Sequence, residues 1–250
     1  MIRPISKIYL VVVYYVSWIW FSLVGLALNA GCILLLPLPN RHKRAHHVRA
    51  TIRLLFDLWV KWLNASKIVG VHFHGFNEPL KPGTVYVANH PTLVDATIVV
   101  SRMPDAVCIF KTSLMRNPVI GPAAVMAEYV DGGAGIDVIR DAATKVANGC
   151  TLLVFPEGTR TAPGQKPAPF KPGYALIAAR AKASVRLLTI TASRDLAARG
   201  RPWWKLPPVL PGRIDVTLDK EWPYVPDRSP TELNAQIERR LAEILPPPSA

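Results

Sequence analysis

Two regimes of apolar and polar positions divide the chain. From Ile8 to Leu36 no charged residue interrupts the sequence (IYLVVVYYVSWIWFSLVGLALNAGCILLL). Such a run predicts a helix able to cross a hydrocarbon core, which takes about 20 residues. Straight, it would measure roughly 43 Å against a core of about 30 Å, so it must tilt, bend, or dip in and return. Gly25 and the Asn29-Ala30-Gly31 cluster are the easiest places for a bend. A cleaved signal peptide fits poorly, because its apolar stretch would be about 7–15 residues and would end in a small-residue cleavage site. The next segment, KRAHHVRATIRLLFDLWVKWLN, sets Val48, Ile52, Leu55, Trp59 and Trp62 at helical spacing. Arg49, Arg53 and Lys61 lie largely off that stripe. A basic amphipathic helix at a membrane interface and a helix packed on a core both satisfy this pattern.

After residue 66 short apolar runs alternate with helical patterns. The runs are KIVGVHF, TVYVAN, AVCIF, MAEYV, CTLLVF, VRLLTIT and RIDVTL. Between them, TLVDATIVVSRM, DVIRDAATKVAN and GYALIAARAKA read as helices. This alternation predicts an α/β fold, with a mixed, largely parallel central sheet flanked by helices and an N-terminal membrane-anchoring helical segment before it. Continuous apolar strands such as CTLLVF suit a sheet covered on both faces. Ser229-Pro230-Thr231-Glu232 reads as a capping box opening a last helix, which should run to about Leu245 before Pro246–Pro248. Proline clusters at 202–211 and 223–230 mark irregular connections. Residues 1–64 are thus the anchor and basic helix, and residues 65–250 a single α/β domain.

Charge adds a direction. The formal net charge is +13, which favours anionic surfaces such as phospholipid, phosphorylated metabolites, an acidic carrier protein or nucleic acid. No nucleic-acid motif accompanies it, so nucleic acid is the poorest of these partners. Arg41, Lys43, Arg44, Arg49 and Arg53 follow the apolar run, whereas only Arg3, Lys7 and the terminal amine precede it. If the run spans, the domain faces the cytoplasm, at the inner membrane of a bacterium. Cys32, Cys108 and Cys150 are too scattered for a disulfide framework or a zinc site and read as packing residues. His72 and His74 share a strand face without a third metal ligand in view. In the Gly-rich 131–135 stretch, Val138 occupies the last glycine position of a dinucleotide fingerprint, which therefore fails.

Two stretches carry candidate chemistry. In VANHPTLVDA, His90 should emerge at the carboxyl end of a strand, with Pro91 in the first turn of the following helix. Residues five apart on one helix are about 140° out of phase, so His90 and Asp95 can meet only if His90 lies in the loop ahead of the helix. Asp95 would then hold the imidazole as a general base. No G-x-S-x-G nucleophile elbow exists, which suggests direct activation of a substrate hydroxyl. A polar pair punctuating a turn is the competing reading. In FPEGTR, Gly158 permits a tight turn, Thr159 and Arg160 could converge on a phosphate, and Glu157 could orient Arg160 or bind an acceptor hydroxyl. A solvated turn is the alternative. Both stretches would open on the same edge of a parallel sheet.

These blocks resemble the lysophospholipid acyltransferase family typified by 1-acylglycerol-3-phosphate O-acyltransferase. Its N-H-x4-D block reads NHPTLVD, with His90 and Asp95 as the implied catalytic pair. Its E-G-T-R block reads Glu157, Gly158, Thr159 and Arg160. The K-x-x-L-x-x-x-P-x-x-G pattern matches Lys111, Leu114, Pro118 and Gly121, and F-K-x-G matches Phe170, Lys171 and Gly173. The resemblance spans roughly residues 67 to 195. It implies a membrane-bound enzyme that moves a fatty acyl group from acyl-CoA or acyl carrier protein to a lysophospholipid hydroxyl. Asn89, Lys111, Glu157, Gly158, Thr159, Arg160, Lys171 and Gly173 would bind substrate. It implies no metal and no cofactor beyond the acyl thioester co-substrate. The family's I-D-R segment is replaced by YVDGGAG, Tyr129 to Gly135, without the arginine. Its V-P-x-x-P-V segment is replaced by VRLLTIT. A different acceptor, such as ornithine lipid, is therefore an alternative, as is a non-catalytic basic lipid-binding protein.

Overall fold

The computed structural model describes residues 4–133, 135–193 and 195–245. Arg3 and Pro246–Pro248 lie outside the described residues. Two long helices open the chain, α1 (Pro4–Leu35) and α2 (Arg41–Ala65). The strands are β1 (Val69–His74), β2 (Val85–Ala88), β3 (Ala106–Phe110), β4 (Val130–Asp131), β5 (Thr151–Val154), β6 (Val185–Ala192) and β7 (Gly212–Trp222). Between and after them stand α3 (Asp95–Val100), α4 (Thr112–Met115), α5 (Gly121–Met126), α6 (Ile136–Ala147), α7 (Gly173–Ala181) and α8 (Pro230–Ile244).

The sheet order is β1-β7-β6-β2-β5-β3-β4. Neighbours are parallel except β6 and β7. This is the mixed, largely parallel sheet that the alternating pattern predicts. Right-handed crossovers dictate where the helices go. The connections β2-α3-β3 and β3-α5-β4 step across the sheet in one direction, and β4-α6-β5 and β5-α7-β6 step back. The first pair therefore covers one face and the second pair the other. Covered on both faces, β2 is buried at every position, as are Leu152, Leu153, Leu187 and Leu188 beside it.

Several boundaries differ from the sequence reading. MAEYV contributes only Val130 to the sheet, because Met126 closes α5 and Glu128 takes a left-handed turn at φ 56°. Pro91 is not in a helical turn: α3 starts at Asp95, and Thr92 instead bridges to Ala198. Ser229 caps α8 and Pro230 follows it, but no side-chain capping hydrogen bond forms, and Glu232 accepts from Gln236 instead.

Helix α2 packs its Val48, Ile52, Trp59, Val60 and Leu63 face on the body. Trp62 stays 40% exposed, and Arg49, expected off the stripe, is buried. Its guanidinium grips Asp105 at 2.7 and 3.2 Å and donates to the Ala127 carbonyl at 3.0 Å, so burial costs it no partner. Helical structure in α1 continues through Gly25 and Asn29–Gly31, so neither site breaks it. Asn29 instead ties α1 to α5, accepting the Ala123 N–H at 2.9 Å. Ser17 accepts the indole N–H groups of Trp59 and Trp62, and the Tyr9 hydroxyl donates to the Ser66 carbonyl. Helix α1 thus lies lengthwise on the body, with Ile8, Val12, Ile19, Leu23, Leu26 and Leu34 exposed on its outer side.

Candidate active site

Strands β2 and β5 lie side by side and parallel, Val85 opposite Leu152 and Val87 opposite Val154. The two loops that follow them therefore leave the same edge, and they are laced together. The His90 N–H donates to Glu157 Oε1 at 2.8 Å, and the Thr161 N–H donates to the His90 carbonyl at 2.8 Å. So placed, His90 folds back over the start of α3, where Nδ1 meets Asp95 Oδ2 at 2.7 Å. Asp95 is wholly buried. It also accepts the Thr92 N–H at 2.7 Å and the Thr92 hydroxyl at 2.5 Å. Burial raises its carboxyl pKa, with the His90 and Thr92 hydrogen bonds opposing. The imidazole stacks on Phe155, ring centroids 4.2 Å apart and planes 22° from parallel. A carboxylate on Nδ1 makes that nitrogen the donor and leaves Nε2 as the basic one. The arrangement can take a proton from a hydroxyl and stabilise the resulting imidazolium.

In the second loop, Gly158 has φ +68°, a left-handed value that favours glycine, and a Cβ there would stand 3.2 Å from Lys171 Nζ. Lys171 therefore lies against the turn of EGTR. Arg160 donates through Nη1 to the carbonyls of Ala197 and Ala198, both at 3.4 Å, and pairs with no carboxylate among the described residues. Lys111 follows β3, the next strand along, and is exposed on the same edge. Among the described residues Arg160, Lys171 and Lys111 have no acidic partner, and they border an edge that carries a histidine–carboxylate pair. An open groove of about 860 Å³ borders this edge, lined in part by Asn89, Pro91, Thr161, Lys166 and Phe170. Among the described residues, no three or more His, Cys, Asp or Glu side chains converge where a metal ion could be held. His74 pairs with Asp215 at 2.8 Å. All three cysteines are buried, and burial pushes the Cys108 thiol up to about 12 and the Cys150 thiol up to about 11.

A family model described as Acyltransferase matches residues 70–192, which include both loops. A 1-acyl-sn-glycerol-3-phosphate acyltransferase of Chlamydomonas reinhardtii is 27% identical over 235 residues, covering 91% of this chain and 68% of its own length. These matches support an acyltransferase similar to the 1-acyl-sn-glycerol-3-phosphate acyltransferases. The acyltransferase is also 26% identical over 185 residues to a 1-acyl-sn-glycerol-3-phosphate acyltransferase of Cocos nucifera, covering 70% of this chain and 58% of that one. Its fold matches the crystal structure of the 1-acyl-sn-glycerophosphate (LPA) acyltransferase PlsC from Thermotoga maritima, with a TM-score of 0.71. That match covers 97% of this chain and 95% of the other at 23% identity.

Within the acyltransferase, several residues stand elsewhere than their motifs suggest. Glu157 neither orients Arg160 nor lies open to an acceptor hydroxyl. It is buried and accepts from the His90 N–H, the Thr161 hydroxyl and the Ala168 N–H. Asn89 is buried too, its amide exchanging two 2.8 Å hydrogen bonds with the Ile190 backbone, so it clamps β2 to β6. Gly173 opens α7 with free space where a Cβ would be, so close approach does not require glycine there. Gly121 does need it, because a Cβ would stand 2.1 Å from the Met115 carbonyl. Thr159 is exposed in the turn. Thr92, Phe155 and Thr161 were missed as site residues. Thr92-x-x-Asp95 has the spacing of a capping box, a signal that could have linked the two.

Proposed function

We propose that the chain transfers a fatty acyl group from an acyl thioester to the free hydroxyl of a lysophospholipid, with 1-acylglycerol-3-phosphate as the reference acceptor. The observation that carries this reading is the 2.7 Å contact of His90 with the fully buried Asp95, on an edge bordered by cations that have no acidic partner among the described residues. His90 Nε2 accepts the hydroxyl proton as the acceptor oxygen attacks the thioester carbonyl. The C–S bond then breaks, and the departing thiolate takes that proton from the imidazolium, so no acyl-enzyme forms. Asp95 fixes the tautomer and stabilises the cation. Arg160, Lys171 and Lys111 hold the acceptor's phosphate.

His90→Ala is expected to lower kcat by about 10²–10⁴-fold. Acyl transfer near the wild-type rate in a membrane assay would sink the mechanism. Acyl-CoA and acylated acyl carrier protein are both thioester donors, and rates measured with each in parallel identify the carrier. The apolar outer side of α1 supports membrane association, which brings the site to a lipid acceptor at the bilayer surface. Were α1 to leave the body and span, the excess of positive charge after the apolar run would put the site on the cytoplasmic side.

A second acceptor class is favoured by one position. Where the family resemblance places an arginine after the aspartate, Gly132 follows Asp131, which accepts from the Thr112 hydroxyl and the Gly133 N–H. A headgroup other than glycerol phosphate, such as that of an amino-acid lipid, suits this loss of a cation. A panel of lyso-lipids separates the two: preference for the phosphate acceptor excludes the second reading.

A further inference from the structure

The segment that joins β6 to β7 passes between α1 and the catalytic edge and touches both. At its near end, the Ala197 carbonyl accepts the Leu93 N–H at 3.0 Å, and Ala198 bridges to Thr92. Arg160 Nη1 donates to the carbonyls of both alanines, and Arg199 reaches back to the Arg160 carbonyl at 3.4 Å. Ala197 makes these contacts from φ +49°, a left-handed conformation that alanine rarely adopts and that surrounding structure must hold in place. Leu196 helps to do so. It lines a small apolar pocket of about 30 Å³ together with Val94 and with Tyr14 and Trp18 of α1.

At the far end the segment is seated on α1. The Tyr14 hydroxyl donates to the Trp203 carbonyl and lies 3.4 Å from that of Lys205. The Tyr15 hydroxyl donates to the Trp204 carbonyl at 3.1 Å, and the Trp18 and Trp203 rings stand 5.1 Å apart. Tyr14 is buried although it belongs to an apolar run otherwise largely exposed. Its polar tip therefore has a partner that is neither lipid nor water.

We propose that the Leu196–Lys205 segment is a strap that positions Arg160 and the Thr92–Val94 loop, and that Tyr14 and Tyr15 are positioning residues which hold the strap from α1. Acceptor recognition then depends on how the anchor helix is seated, although no residue of α1 touches the acceptor's phosphate. This rests on the reading that Arg160 receives that phosphate.

The test uses the full-length enzyme in phospholipid vesicles, with Tyr14→Phe alone and Tyr14→Phe/Tyr15→Phe together. Both variants keep their rings and lose only the donors. The double variant is expected to raise KM for 1-acylglycerol-3-phosphate by about 5–10-fold while kcat stays within about 2-fold. Tyr14→Phe alone gives a smaller rise in the same direction. In an Arg160→Ala background the phenol losses should add nothing, since the group they act through is gone. An equal rise in both backgrounds overturns the proposal, as does a fall in kcat with KM unchanged. Vesicle flotation should be the same for wild type and variants; loss of binding would assign the effect to anchoring and overturn it too. Should Arg160→Ala itself leave KM unchanged, the phosphate reading fails. The strap is then judged by hydrogen exchange at the Leu93 amide, which reports its seat directly. Faster exchange in the double variant supports the strap, and unchanged exchange overturns it.

Discussion

Glu157 places three donors on one buried carboxylate, and all three belong to the loops that frame His90. Its work is to fix the backbone from which the imidazole projects. Glu157→Gln puts an amide N–H₂ against one of those donors. We expect kcat to fall roughly 10–100-fold with a smaller change in KM, measurable by steady-state kinetics. Asp95 presents the opposite bargain between stability and activity. Its carboxyl pKa is raised by burial, so the folded state binds this proton more tightly than the unfolded chain does. Stability from this group is complete below the unfolded carboxyl value, near 4, and is lost as pH rises through the folded value. Asp95→Asn is therefore expected to melt no lower than wild type at neutral pH while losing most activity, with its relative advantage in melting temperature shrinking toward acid. The pairing of His90 with Asp95, which the structure brings to 2.7 Å, is legible in the sequence because both stand within six consecutive residues. The role of Glu157 is not, because the His90 N–H comes from the neighbouring strand's loop, 67 positions away.

Among the elements, α2 shows where periodicity stops being informative. Spacing located its apolar face at Val48, Ile52 and Trp59, each buried. Spacing could not place Arg49, whose burial depends on Asp105 waiting 56 residues further on. Burial disfavours the charged form of Asp105, but the Arg49 guanidinium and the His46 ring outweigh it and hold the pKa low. Its contribution to stability is present above the unfolded carboxyl value and is lost as pH falls through the folded one. Arg49→Ala strands Asp105 and the Ala127 carbonyl together. It should cost about 2–3 kcal/mol in urea unfolding, less than a fully buried pair because Asp105 keeps some contact with solvent. The inner strands β2, β3 and β5 were legible for a simpler reason: they are short, continuous and apolar. The exception, MAEYV, was claimed by a helix whose packing on α1 and α2 no local pattern reveals.

For the whole molecule, the placement of α1 bears on how the enzyme meets a bilayer. Length and composition alone allow it to span. Lying along the body from Tyr9 to Asn29, it cannot cross while that body stays in water. We expect cysteines introduced at Lys7 and Pro37 to be labelled by an impermeant reagent from the same side of a sealed vesicle. The three native cysteines are buried, which keeps background labelling low. Labelling from opposite sides would show that the helix leaves the body and spans.

The antiparallel step between β6 and β7 has a consequence of another kind. Because β7 runs back, Ala192 and Gly212 both stand at the edge that carries the two loops, and the connection between them begins and ends there. Its two ends are clamped by neighbouring strands, so its interior can change length and chemistry without disturbing the sheet. The fold thus contains an exchangeable cassette at its working edge. Grafting the corresponding stretch from a relative with another acceptor should transfer specificity while the strands, and the histidine they carry, stay as they are.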